Sequence, residues 1–128
     1  MRAAIILLAL FAQQAVTEKP VTISIADLVE KAQSYDMKEI ETTGKVVKCE
    51  TRTSKAGNPY FTFKLEEKGK RLSIFGWGTL TRKLKDGEIV KLTGTFRKEH
   101  LVSGNLFKLE VETEAEKIKI QKPADDAG

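Results

Sequence analysis

The sequence has few of the residues that bind metal ions or act as nucleophiles in covalent catalysis. Its 128 residues include one cysteine and one histidine. A single cysteine cannot close an intrachain disulfide, and the two residues together fall short of the four ligands of a structural zinc site. We therefore expect no metal and no cofactor.

The common local motifs of catalysis are missing as well. The chain contains no GxSxG elbow, no glycine-rich phosphate loop and no HExxH pair, which mark several hydrolase and nucleotide-binding classes. His100 stands alone on a predicted loop, and the carboxylates are concentrated outside the basic middle of the chain. These absences predict a binding protein and not an enzyme.

Long hydrophobic runs are also scarce. Residues 3–12 form an uninterrupted apolar run directly after Arg2, but a membrane-spanning helix needs about 20 apolar residues. The run has the length of a signal-peptide core. We therefore expect residues 1–12 to be removed after Ala12, leaving a periplasmic or secreted protein without a stable membrane span. The alternative is a buried N-terminal helix, which Pro20 disfavours.

What the chain does have is charge that is segregated along its length. The net charge is −3 for residues 16–43, +9 for residues 44–109 and −3 for residues 110–128. A basic middle of this kind raises the local potential toward an anionic partner more than the overall net charge of +4 implies. The alternative is that these lysines are the ordinary solvated faces of strands.

Hydrophobic periodicity predicts one helix and five strands, with a second short helix between the third and fourth strands. Ser24 can cap a helix over residues 24–35, in which Ile25 and Leu28 share one face. A one- or two-turn helix is predicted over residues 79–85, closed by Gly87. The five strand-like runs are residues 38–51, 60–67, 71–78, 88–97 and 105–112.

This order is typical of an all-β OB-fold, a five-stranded Greek-key barrel. Segments 43–47, 57–65, 72–75 and 84–94 resemble the nucleic-acid-binding OB-fold family found in anticodon-binding and single-strand-binding modules. The resemblance implies a barrel that binds ligand on its second and third strands. We expect a signal peptide at 1–12, an N-terminal extension with a helix at 13–37, the barrel at 38–112 and a C-terminal tail at 113–128.

Period-two alternation divides the strand residues between two faces. The inward face is expected to hold the apolar core, made of Val46, Phe61, Phe63, Leu65, Leu72, Ile74, Val90, Leu92, Phe96, Phe107, Leu109 and Val111. The outward face carries aromatic and basic side chains flanked by two loops. The candidate nucleic-acid-binding residues are Tyr60, Lys64, Arg71, Phe75 and Trp77 on the strands, Lys48, Arg52 and Lys55 near the first loop, and Lys98 near the fourth.

Residues of these types suit a single-stranded nucleic acid. Aromatic rings stack on bases at about 1–3 kcal/mol each, and lysine or arginine neutralises phosphate without reading sequence. The alternative is structural: Phe75 and Trp77 would then cap the core beneath a helix, and Tyr60 would support its loop.

Two functions remain open. The first is an exported binder of single-stranded nucleic acid or another polyanion with low sequence specificity. The second is a structural or adaptor OB domain that binds a protein, an oligosaccharide or an anionic envelope surface through the same face. Because a fold does not define a function, the choice rests on the site.

Overall fold

The computed structural model describes residues 19–102 and 104–123, so the predicted signal peptide lies outside the described residues. Two short helices near the start precede an extensively paired sheet. The elements are β1 (Val21–Thr22), α1 (Ile25–Glu30), α2 (Ala32–Tyr35), β2 (Glu39–Thr53), β3 (Pro59–Glu67), β4 (Lys70–Trp77), β5 (Ile89–Val102), β6 (Asn105–Glu114), a 3-10 turn (Ala115–Lys117) and β7 (Ile118–Lys122). Within these residues, no helix is both long enough and apolar enough to cross a membrane.

The strand pairing closes a five-stranded barrel. Strands β2, β3 and β4 form an antiparallel meander, β4 pairs in parallel with β6, and β6 pairs antiparallel with β5. Strand β5 then closes the barrel on the first half of β2, from Glu39 opposite Thr95 to Lys45 opposite Ile89. This is the Greek-key order of the OB-fold, so the predicted fold class is confirmed.

Helix α1 begins where the sequence predicts. The Ser24 hydroxyl accepts a hydrogen bond from the Asp27 N–H at 3.1 Å, which is a standard N-cap. The Glu67 carboxylate from β3 accepts a second bond from the Ile25 N–H at 3.0 Å. Ile25 and Leu28 are fully buried. The helix therefore packs its apolar face into the barrel, although the single predicted helix is interrupted at Lys31.

The predicted division between inward and outward faces also holds for β3 and β4. Phe61, Leu65 and Ile74 are buried, whereas Lys64 and Trp77 point outward. Most of the expected core is buried with them, and Leu109 is partly buried against it. The prediction that His100 lies on a loop is wrong, because its backbone pairs with that of Phe107 within the extended β5–β6 hairpin. The side chains of Phe107 and His100 are among those that the structure leaves undescribed.

The predicted helix over residues 79–85 is wrong, because this segment follows an irregular path. Here Leu84 turns into the core instead, and the buried carboxylate of Glu88 accepts hydrogen bonds from the Lys85 N–H and the Arg82 guanidinium. Core packing and one buried carboxylate thus define the connection between β4 and β5.

The structure adds two short strands to the five predicted ones. Strand β1 pairs in parallel with the start of β2, and β7 pairs with the first half of β5 on the edge opposite β2. Strand β7 lies in the part of the chain predicted as a C-terminal tail. Its five residues alternate apolar and polar side chains too briefly to form a distinct sequence signal.

Candidate binding groove

An open groove of about 590 Å³ runs along the outer face of β3 and β4. It is bordered on one side by the second half of β2 and on the other by β6. Its lining combines an aromatic cluster with charged groups of both signs. The lining residues are Lys48, Glu50, Arg52, Tyr60, Thr62, Phe63, Lys64, Ser73, Phe75, Trp77, Glu110 and Glu112.

The aromatic cluster consists of Tyr60, Phe75 and Trp77. Strand register explains it, because Tyr60 lies directly opposite Trp77 and Phe75 is two residues away on the same face. The Tyr60 and Phe75 rings stack with centroids 5.2 Å apart, and Trp77 meets Phe75 edge-on at 5.0 Å. These contacts hold the rings in place while leaving 39% of Trp77 exposed.

Polar neighbours fix the aromatic cluster at its edge. The Trp77 indole N–H donates to Glu112 Oε2 at 3.2 Å, and the other oxygen of Glu112 pairs with Arg97 at 3.2 Å. Strand β6 supplies this carboxylate because its parallel pairing places Glu112 opposite Phe75. The orientation of the indole is therefore defined by β6 as well as by β3 and β4.

Three cations line the groove: Lys48, Arg52 and Lys64. Lys64 Nζ donates to the Ser73 hydroxyl at 2.7 Å, and Arg52 forms an ion pair with Glu50 in which both side chains are more than half exposed. The hydrogen bond with Glu50 raises the pKa of Arg52. Both contacts lie at the surface, so either cation can exchange its present partner for a ligand at small cost.

Lys48 reaches the groove through an irregularity in β2. The register with β3 shifts between Val47 and Glu50, and Lys48 has a φ of 57°, in the left-handed region. Its N–H donates to Asp86 Oδ1 at 2.8 Å. The extra residue of this β-bulge turns the next side chain, Cys49, into the core, where burial raises the pKa of its thiol.

The carboxylates of the groove were not predicted from the sequence. Glu110 and Glu112 lie beyond the basic middle segment of the chain, yet β6 returns beside β4 and places them next to Ser73 and Phe75. With Glu50 they bring the carboxylates in the lining to three, which equals the number of cations. Glu110 is buried. The groove is therefore an aromatic site with balanced charge, and not the basic face that the charge segregation predicts.

The structure brings six of the nine predicted binding residues together in this groove. The other three lie elsewhere. Lys55 is exposed in the loop between β2 and β3, Arg71 pairs with Glu66 at the far end of β4, and Lys98 is held through its backbone N–H by Asp36. Across residues 19–102 and 104–123, no three His, Cys, Asp or Glu side chains are grouped as a metal site.

Comparison with known proteins shows the fold alone. No protein-family model and no curated protein matches the sequence. The chain is similar to one in the crystal structure of yeast Stn1 and Ten1, with a TM-score of 0.53 and 14% identity over 83% of this chain and 65% of that one. The solution structure of the OB domain of Ta0387 from Thermoplasma acidophilum gives a TM-score of 0.48 and 15% identity over 79% of this chain and 85% of that one.

Proposed function

We propose that the protein binds a short single-stranded oligonucleotide in the groove, with low sequence specificity. The observation that carries this proposal is the cluster of Tyr60, Phe75 and Trp77 on the outer face of β3 and β4. Oligonucleotides and oligosaccharides bind to this face of OB-folds. Aromatic stacking accepts any base, because every base has a flat face.

The charge in the groove sets the expected salt dependence. Phosphate contacts to single strands contribute about −0.7 each to the slope of log K against log salt. Lys48, Arg52 and Lys64 therefore give a slope no steeper than about −2 for a strand confined to the groove. Because Glu50 competes with phosphate for Arg52, we expect stacking to supply most of the affinity.

Trp77 provides a direct test, since the chain contains one tryptophan. A base that stacks in the groove should quench its fluorescence in proportion to the binding measured by anisotropy of a labelled oligonucleotide. We expect fluorescence quenching and anisotropy to give the same Kd as each other, both at low salt and at moderate salt. Binding without any change in Trp77 fluorescence would place the ligand outside the groove and contradict the proposal.

The balanced charge of the lining favours a second candidate, a neutral oligosaccharide. Aromatic rings can pack against the apolar face of a sugar, and the carboxylates of Glu50, Glu110 and Glu112 can accept hydrogen bonds from its hydroxyl groups. Quenching of Trp77 by neutral oligosaccharides, unchanged by salt and absent with oligonucleotides, would favour this adaptor function over the first.

We also propose that residues 1–12 direct export, on the basis of the apolar run after Arg2. N-terminal sequencing of protein recovered from the periplasm or the medium tests this directly. The expected first residue is Gln13 or a close neighbour. Intact Met1 on the recovered protein would contradict cleavage at this site.

A further inference from the structure

A second charged surface lies on the outer face of β2, β5 and β7. Strand register arranges it as two rows. In the first row Ile89 stands between Lys45 and Lys122, and in the second Lys91 stands between Thr43 and Lys119. A register shift in the pairing of β5 with β7 separates the two rows. Residues directly opposite each other in an antiparallel pair share a face. We call this surface the lysine patch, and it consists of Lys45, Lys91, Lys119 and Lys122.

The charge of the lysine patch is not compensated within the described part of the chain. None of its four amino groups has an ion pair or hydrogen bond to a described residue. The carboxylate directly across from Lys45 is Glu66, which is already bonded to Arg71. The patch thus differs from the groove, where cations and carboxylates are equal in number.

The arrangement within the patch is unfavourable for the isolated protein. Lys91 and Lys119 are direct cross-strand neighbours, and like charges in that position destabilise a sheet. Glu41 lies at the other end of the same face, two residues before Thr43 in β2. Its carboxylate accepts a hydrogen bond from Thr22. The positive charge is therefore concentrated at one end of the outer face of β2, β5 and β7, where a bound anion would reduce the repulsion between the lysines.

We propose that the lysine patch binds the phosphodiester backbone of a nucleic-acid strand that continues out of the groove. This inference rests on the proposed function. Strand β2 connects the two sites, because Lys45 of the patch lies three residues before Lys48 of the groove, a separation of about 10 Å along a strand. The groove holds bases, and the lysine patch holds backbone charge.

The test compares two variants that lose the same charge. In the patch variant, Lys45, Lys91, Lys119 and Lys122 are replaced by Gln. In the control variant, four exposed lysines outside both sites, Lys19, Lys31, Lys38 and Lys68, are replaced by Gln. Each protein is titrated with an oligothymidylate of about 4 nucleotides, at the lower end of the range of OB-fold site sizes, and with one of about 16, at the upper end.

For the longer strand, we expect the patch variant to bind at least tenfold more weakly than wild type at low salt. The slope of log K against log salt should become shallower by about 3, corresponding to four lost phosphate contacts. The control variant should stay within about threefold of wild type because its cations lie outside the path. The shorter strand should bind all three proteins equally and quench Trp77 equally.

Equal losses in the two variants would overturn the inference, because net charge alone would then explain the effect. If the shorter strand fails to bind, the groove proposal fails, and the longer strand still decides the role of the patch. Wild-type protein that binds neither strand overturns both proposals. Binding to phosphatidylserine vesicles without binding to the longer strand would assign the patch to a membrane and also overturn the inference.

Folding is controlled in two ways. Removal of like-charge repulsion should leave the patch variant at least as stable to heat as wild type. A second variant with Arg at the same four positions keeps the charge, so it should bind the longer strand within about threefold of wild type. Loss of binding in a folded Arg variant would show that the patch does not act through charge and would overturn the inference.

Discussion

Aromatic side chains lie on both faces of β3 and β4, buried on the inner face and partly exposed on the outer one. On the inner face the Phe61 ring is fully buried, whereas 39% of Trp77 on the outer face is exposed. The inner face excludes even one additional carbon, because a Cβ at Gly76 would overlap the Phe61 ring. The outer face leaves an open groove. Within one hairpin, aromatic side chains therefore fill the core on one face and line an open groove on the other.

The largest effect on stability is expected at Phe61. Phe61→Ala should lower the free energy of unfolding by about 3–5 kcal/mol, because it leaves a cavity in the barrel core. Phe75→Ala, on the half-buried outer face, should lower it by about 1–2 kcal/mol. Chemical denaturation of both variants measures the difference. Equal losses would show that the outer ring is as much a part of the core as the inner one.

Glu88 is an exception to the apolar interior, since its side chain is buried and its carboxylate is paired with Arg82. Glu88→Ala should lower the free energy of unfolding by about 1.5–3 kcal/mol, the range for hydrogen bonds to charged groups. The bond from Arg82 lowers the pKa of Glu88. Because the pKa of Glu88 is lower in the folded protein than its ordinary value of 4.5, its carboxylate contributes its full share of the free energy of unfolding above pH 4.5. This contribution is lost as the pH falls through the pKa that Glu88 has in the folded protein.

Unfolding measured across the acid range checks this second prediction. The stability difference between wild type and Glu88→Gln should be greatest near neutral pH and shrink below about pH 4.5. Glu30 is a matched control, because its exposed carboxylate has no hydrogen bond or ion pair in the described structure. A difference that stays constant with pH would show that the charge of Glu88 makes no contribution.

Trp77→Ala should separate recognition from stability on the outer face. Oligonucleotide binding should weaken by about 1–3 kcal/mol through lost stacking, with the salt slope unchanged. Met37→Ala is the control, because it removes another exposed apolar side chain outside the groove lining. Anisotropy measures binding, and thermal melts confirm folding. Unchanged affinity in folded Trp77→Ala would remove the main support for the groove as a base-binding site.

The smallest expected effect concerns Lys48 and its left-handed backbone. Lys48→Gly should stabilise the fold by about 1 kcal/mol or less, because glycine adopts positive φ without the side-chain penalty. It should also weaken oligonucleotide binding by removing a groove cation. Lys68, with a φ of 50° in the turn between β3 and β4, is the matched control. Lys68→Gly should give the same change in stability without loss of oligonucleotide binding. If Lys68→Gly also weakened binding, the effect of Lys48→Gly would be explained by the lower net charge of the protein and not by a contact in the groove.

Much of the fold follows from local sequence pattern. Alternation in β3 and β4 is regular, so the buried positions of Phe61 and Ile74 could be assigned to the core without coordinates. The segment at 79–85 could not be predicted, because Leu84 and Glu88 are positioned by contacts with the barrel and with Arg82. Those contacts exist only after the strands have paired.

The site was predictable where it depends on one hairpin. The register of β3 with β4 follows from a tight turn, so Tyr60, Phe75 and Trp77 were correctly placed on one face. The carboxylates of Glu110 and Glu112 depend on the parallel pairing of β6 with β4, which joins segments more than thirty residues apart. Charge counted along the chain cannot reveal a neighbour that the topology supplies.

The closure of β5 on β2 bears on how fast the molecule folds. Glu39 pairs with Thr95, and the residues between them include all of β3 and β4. Such distant pairing requires a large loss of chain entropy before any contact forms, so barrels of this type fold on the scale of milliseconds to seconds. The meander from β2 to β4 joins neighbours in sequence and meets no such delay. We therefore expect the groove, which needs β6 beside β4, to be completed only when the slow, long-range part of the barrel assembles.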